Sequence, residues 1–384
     1  MIYPLSCTER NGNMEKELIT QKQGLAVMIM FTLGSTLVLG AGGTAKNDVW
    51  IAILISMFLE VPIILICCKI QKLYPAKNIY EIFEIVFGKV AGKLLSVLFT
   101  WYSFHLGSLV IRNFTEFIVS VSLPQTPQSI VGLFMVFLCI WAVKAGIEVI
   151  CRWTAIIFPI TIIVILAVTF LFAPILNFEN FKPILFYGIK PVIDSAFSVF
   201  AFPLSETVIF LAFFNQLNSK ASVYKVYFLN LLISGLFIVL VSVRTLLSLG
   251  VPNISIEFFP TYSSVRLVNI GDFLERIEIT VAMVFLFAGF IKINVCLYSS
   301  CIGVANLFGL KNYRQVVGIL GLSMLLLSVI FYRNTSEMFD WANNIYKYYA
   351  FPFEVILPVI TLLFFEIKKF FIKRKRLPDP VEDS

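Results

Sequence analysis

Charge is what this 384-residue sequence has least of. Only 14% of its residues are Asp, Glu, Lys or Arg, and there is a single histidine. Soluble domains carry about 25% charge, so a chain bathed in water on all sides is excluded. The seven cysteines (Cys7, Cys67, Cys68, Cys139, Cys151, Cys296 and Cys301) form no CxxC pair, and six lie in or beside apolar runs. That excludes a disulfide scaffold or thiolate metal site and makes them small buried hydrophobes. No Walker-type phosphate loop, HExxH, GxSxG or Cys/His metal spacing occurs. An enzyme is therefore not expected, and neither is a cofactor or a metal.

What is present is apolar: 59% of the residues are hydrophobic. A helix needs about 20 apolar residues to cross a bilayer. Ten such segments are legible, at about 22–43, 49–70, 92–119, 129–149, 152–173, 187–213, 223–247, 273–305, 314–332 and 348–371. The sequence predicts an all-α membrane protein: a polar segment 1–20, one transmembrane domain over 21–372 and a tail over 373–384. The first span is too long for a signal peptide and lacks a cleavage pattern; Met14 is an alternative start. The net charge of +7 reports topology rather than nucleic-acid binding. With the N-terminus inside, 20 of the 30 basic residues fall on inner segments and 7 on outer loops; Arg112, Arg276 and Lys292 lie within spans. This predicts both termini in the cytoplasm, with the tail KKFFIKRKR as an anchor. The longest loop, about 248–272, is then external, and its Pro and aromatic content suits a lid.

Two spans contain poor helix formers. The first holds Gly34, Ser35 and Thr36; the sixth holds Phe200, Ala201, Phe202 and Pro203. Counting from Lys22 and Lys190, Gly34 and Pro203 lie about 18 and 20 Å deep at 1.5 Å per residue, near the middle of a core about 30 Å thick. Backbone broken at that depth must line a cavity or be covered by protein. Freed N–H groups attract an anion and freed C=O groups a cation, so two crossing broken helices could hold a zwitterion such as an amino acid. Five spans separate them, and they run in opposite directions, as in an inverted repeat. The alternative is a packing glycine in the first span and a proline kink in the sixth.

The stretches ITQKQGLAVMIMFTLGSTLVLGAGG and NDVWIAILISMFLEVP resemble the B subunits of bacterial spore germinant receptors, as do AFPLSETVIFLAFF and FLERIEITVAMVFLF. The resemblance runs from about 18 to 372. It implies membership of the amino acid–polyamine–organocation transporter superfamily, with ten helices in a five-plus-five inverted repeat and broken helices one and six. It implies an inner spore membrane location and recognition of a small germinant, typically an amino acid. It also implies a complex with a membrane A subunit and a lipoprotein C subunit. Gly34, Ser35 and Thr36, with Phe200, Ala201, Phe202 and Pro203, match the unwound stretches. Position alone adds Tyr102, His105 and Ser108 from the third span, and Met283 and Phe287 from the eighth, as pocket residues.

The remaining candidates are ionisable groups inside spans, which are costly unless paired or hydrated. Glu206, three residues past Pro203, would cap the lower half-helix or contact ligand. Arg112 and Glu116 are spaced to pair and, with Arg276 and Glu278, could form an outer gate. Lys292 would pair with an acid such as Glu60 or reach the inner interface. Glu60 with Pro62, and Glu354 with Pro352, read as kinked interior faces. His105 reads as a hydrogen-bonded core residue. The fifth span lacks the lysine that some proton-coupled relatives in the superfamily carry, which counts against proton-coupled transport. Three functions remain: a ligand-sensing receptor subunit, an amino acid transporter working by alternating access, and a membrane scaffold.

Overall fold

A computed structural model describes residues 18–218, 222–267 and 277–375. Apart from connections and one isolated β-bridge, these residues are helical. The long helices are α1 (Gln21–Leu39), α2 (Val49–Leu73), α4 (Lys89–Val121), α5 (Gln128–Ala145), α6 (Ile147–Leu171), α8 (Val223–Ile254) and α10 (Ile277–Phe308). Between them lie α3 (Ile79–Phe87), α7 (Ile189–Val199) and α9 (Pro260–Val265). The chain closes with α11 (Val317–Ile330), α12 (Thr335–Asp340), α13 (Tyr346–Phe351) and α14 (Leu357–Lys375). Eight helical stretches are long and apolar enough to cross a membrane. The 19-residue α1 and the 14-residue apolar α11 complete the ten expected segments.

The termini of the described bundle lie at one end. There Lys69 Nζ is 2.7 Å from Glu366, and Lys368 Nζ donates to the Ile85 carbonyl at 2.9 Å. At the same end Ile19, two residues before α1, is stitched to the end of the sixth span. Ile19 N–H donates to the Gln216 carbonyl at 2.9 Å and Asn218 N–H to the Ile19 carbonyl at 2.8 Å. The opposite end is called distal below.

The sixth span is interrupted as expected. α7 stops at Val199, Phe202 is extended (φ −127°, ψ 113°), and helix resumes at Ser205 as a tighter 3-10 turn running to Ala212. Pro203 supplies the cause, having no N–H to donate and a ring that clashes with the preceding turn.

The first span differs from expectation. α1 is continuous through Gly34, Ser35 and Thr36, and the chain leaves the helix only at Gly40. Thr32 and Thr36 Oγ1 both bond carbonyls one turn back, at 2.9 and 3.2 Å. Gly34 serves packing instead: a Cβ there would sit 3.1 Å from the Ala288 carbonyl and 3.3 Å from Lys292 Cδ. The real break is at Gly40 and Gly42, whose φ values of +77° and +72° favour glycine.

The tenth span is longer than read, being helical from Thr335 onward with π turns at Trp341–Ile345 and Pro352–Ile356. Lys347, expected in a loop, lies within it, and its Nζ is 2.5 Å from Asp194 of α7. In the 248–272 stretch, α8 continues past a kink at Gly250 to Ile254, and α9 follows. Phe259 and Tyr262 each pack 5.3 Å from the Phe117 ring, so this segment covers the distal end as a lid. Residues 268–272 lie outside the described part. α4 and α10 approach closely: a Cβ on Gly289 would fall 2.2 Å from the Phe114 ring.

Candidate functional site

The interruption of the sixth span places Glu206 in the centre of the bundle, where α10 presents Lys292. Their side chains are wholly buried and form an ion pair. The partner of Lys292 is thus Glu206, and neither Glu60 nor the interface. Glu206 makes no side-chain capping bond at its half-helix; its second oxygen accepts from Tyr346 Oη at 2.8 Å. Lys292 Nζ also lies 5.0 Å from the ring centroids of both Phe31 and Phe202. An ammonium over two aromatic faces gains cation–π attraction that strengthens when water is excluded.

The pair is the hub of a wider network. Tyr102 Oη donates to Glu354 Oε1 at 2.6 Å and lies 3.4 Å from Tyr346 Oη. Ser205 Oγ donates to Glu60. Among the described residues, Glu60 Oε1 and Glu354 Oε2 have no hydrogen-bond partner. Three buried carboxyl groups therefore share a region with one ammonium. Buried ions are retained against a desolvation cost of several kcal/mol each, which makes them functional candidates by default.

Beside this hub is a void of about 20 Å³, lined among others by Ser35, Asn113, Phe202, Glu206, Trp341 and Tyr346. That is room for a water molecule, not an amino acid. The middle of the bundle is closed in this conformation. Larger cavities flank it at the two ends: one of about 370 Å³ at the distal end, around Gly40–Gly43 and the lid, and one of about 630 Å³ at the terminal end, around Phe214, Leu217 and Tyr224.

The expected residues separate into those that meet here and those that do not. Ser35, with an unpartnered Oγ, Phe202 and Glu206 line the void, and Tyr102 joins through Tyr346. Phe200, Ala201 and Pro203 are buried at the interruption, with Phe200 stacked on Phe197. Gly34 lets α10 pack against α1, and Thr36 Oγ1 bonds the Thr32 carbonyl of its own helix. Ser108 Oγ bonds the Phe104 carbonyl of its own helix at 3.0 Å. Met283 and Phe287 are 46% and 39% exposed, on the face of α10 away from the core, so they do not line this pocket. They lie nine and five residues before the central Lys292 on α10 and turn to its outer face.

His105 is buried but not hydrogen-bonded through Nδ1. It is boxed by Trp101, Phe331, Trp341 and Tyr349, with ring centroids 4.6–6.3 Å away.

Arg112 and Glu116 do pair, at 3.2 Å. Glu116 also accepts from Gln128 at 2.9 Å and Thr335 at 2.5 Å, tying α4 to α5 and α12. Arg276 lies outside the described residues. Glu278 opens α10 and borders a separate distal cleft with Arg266.

Tyr346 was missed because it stood in a segment read as loop. Glu354 reads from the sequence only as part of a proline kink, not as a member of this network. The signal for both was the dense Tyr and Phe content ahead of Pro352.

These features define a class: a ten-span membrane protein of transporter fold with an interrupted sixth span. The chain is similar in structure to the nucleobase-cation-symport-1 family transporter Mhp1, solved closed with bromovinylhydantoin. That match has a TM-score of 0.70 at 12% identity, covering 94% of this chain and 80% of that one. It is also similar to MhsT in complex with L-phenylalanine, with a TM-score of 0.61 at 12% identity over 92% and 99% of the two chains. At such identity these likenesses speak for the fold alone.

The family model for spore germination proteins matches residues 18–336, and the chain belongs to that family. Spore germination protein KB of Bacillus subtilis is 29% identical over 354 residues, covering 91% of this chain and 95% of that protein. Spore germination protein A2 of the same organism is 24% identical over 358 residues, covering 90% and 95%.

Proposed function

We propose that this protein is the germinant-sensing subunit of a spore germination receptor. It binds a small germinant, an amino acid, at the interrupted sixth span and signals to partner A and C subunits. It sits in the inner spore membrane with its termini toward the spore core, so the distal end faces outward. The observation that carries the reading is the wholly buried Glu206–Lys292 pair beside the break at Phe202, in a family named for germination. The ligand would exchange contacts with this pair and with Ser35 and Phe202 as the closed void opens. Its effect on the partners is bounded by its differential affinity for the open and closed arrangements.

The test is the germinant dose–response of spores carrying Glu206→Gln or Ser35→Leu, with receptor abundance measured in parallel. Loss of response at normal abundance supports the reading; an unaltered dose–response in both variants overturns it.

The second reading is transport by alternating access. It is favoured by the transporter fold and by cavities at both ends of a closed middle. Uptake of labelled amino acids by proteoliposomes containing this chain alone would promote it over sensing.

A further inference from the structure

Arg244 stands apart from the network above. It lies six residues before the Gly250 kink of α8, within a stretch apolar enough to span the membrane, and is 5% exposed. Its guanidinium lies 4.6 Å from the Phe172 ring centroid, and among the described residues its Nε has no hydrogen-bond partner. Among the described residues no carboxylate forms an ion pair with it. The small void it lines is otherwise apolar except for Thr261, with Leu37, Val168, Val241, Val281 and Phe285 among its walls. A guanidinium cannot shed its charge in a protein, and a buried charge without a counter-ion is costly. An anion beside it would supply the missing counter-charge.

The place for one adjoins it. The neighbouring Thr245 is 4% exposed, its Oγ1 has no partner, and it lines the distal cavity of about 370 Å³. Thr261 of α9, under the lid, borders both this cavity and the void that holds Arg244. The cavity is of the size that small-molecule sites occupy. The lid also contributes Glu257 to it, whose carboxylate is held by Ser263 Oγ at 2.7 Å.

We infer that Arg244 and Thr245 form a second, distal anion site that takes the carboxylate of a small molecule in the cavity under the 251–260 lid. Arginine suits this because its planar fork matches a carboxylate with two parallel donors. Glu257, across the same cavity, faces an ammonium on the other end of the ligand. The preferred occupant is then a small zwitterion rather than a simple anion. This site is separate from the central pair, so it stands or falls independently of the proposed sensing role there.

The experiment uses the full chain purified in detergent, with thermal unfolding followed at constant ionic strength against chloride, acetate and glycine. Glycine and acetate are expected to raise Tm in a saturable way, with Arg244→Met weakening the apparent affinity by about 10- to 100-fold. Glu257→Gln should weaken glycine but leave acetate unchanged. Arg244→Met should also raise the Tm of the unliganded protein, since an apolar side chain replaces an uncompensated buried charge. A response to acetate and glycine beyond that to chloride assigns an organic carboxylate; an equal response to chloride assigns an inorganic anion at the same residue. No response to any of the three, or the same response in Arg244→Met as in wild type, overturns the site.

Discussion

Replacing Lys292 by methionine removes the only ammonium of the Glu206–Lys292 pair while keeping most of the side-chain volume. Glu206 then keeps a single partner, Tyr346 Oη at 2.8 Å, and a wholly buried carboxylate is left without a counter-charge. Removing one partner of a buried pair costs about 3–5 kcal/mol. Part of the methionine's effect is offset because the replacement remains packed against Phe31 and Phe202, the rings that now face Nζ. For a chain of this size the loss should lower Tm on the order of 5 °C. Replacing both partners (Glu206→Leu with Lys292→Met) removes both desolvation costs, and such exchanges are neutral or stabilising by about 1–4 kcal/mol. The cycle of two single variants and the double variant should therefore show strong coupling, with the double variant more stable than either single. Thermal unfolding of the purified chain reads the stability, and spore germination reads the function. A pair that is only structural would leave the double variant both stable and responsive; a working site leaves it stable and silent. A Lys292→Met protein with unchanged Tm would refute the reasoning, because it would mean that Glu206 does not need its partner.

Three further outcomes test the packing. Gly289→Ala places a methyl group 2.2 Å from the Phe114 ring and should destabilise by about 1–3 kcal/mol in thermal unfolding. Glu116→Ala strips an acceptor from Arg112, Gln128 and Thr335 at once. It should cost about 1.5–3 kcal/mol and increase hydrogen exchange where α5 and α12 meet α4. Asn78→Ala removes the capping box shared with Glu81 at the start of α3, which should cost about 0.5–2 kcal/mol; equal stability to wild type would show that α3 is held by tertiary contacts alone.

The spans were legible because crossing a bilayer imposes length and hydropathy on each one separately. The break in the sixth span was legible for a similar reason, since Pro203 forbids a regular helix from its own position. The first span misled because glycine has two uses. Gly34 looked like a helix breaker, but its lack of a side chain is spent on letting α10 approach. Only the partner helix distinguishes those uses, and a linear sequence does not contain it. Met283 and Phe287 failed similarly: counting residues gives depth, whereas the core-facing side of α10 is fixed by neighbours far away in sequence. The pairing of Lys292 with Glu206, 86 positions apart, is a product of the bundle and not of any local pattern. Arg244 is hidden in the same way: from the sequence it is one more basic residue near the outer end of the 223–247 span, and only the fold buries it.

The two backbone hydrogen bonds that join Ile19 to Gln216 and Asn218 have a mechanical consequence. They clasp the root of the first span to the root of the sixth, as the two arms of tweezers are joined at the heel. The distal ends are tied as well, by Ser195 Oγ donating to the Gly42 carbonyl at 2.9 Å, so parting the two spans at either end means breaking hydrogen bonds. Gaping at both ends in turn would require the clasp to come undone on every cycle.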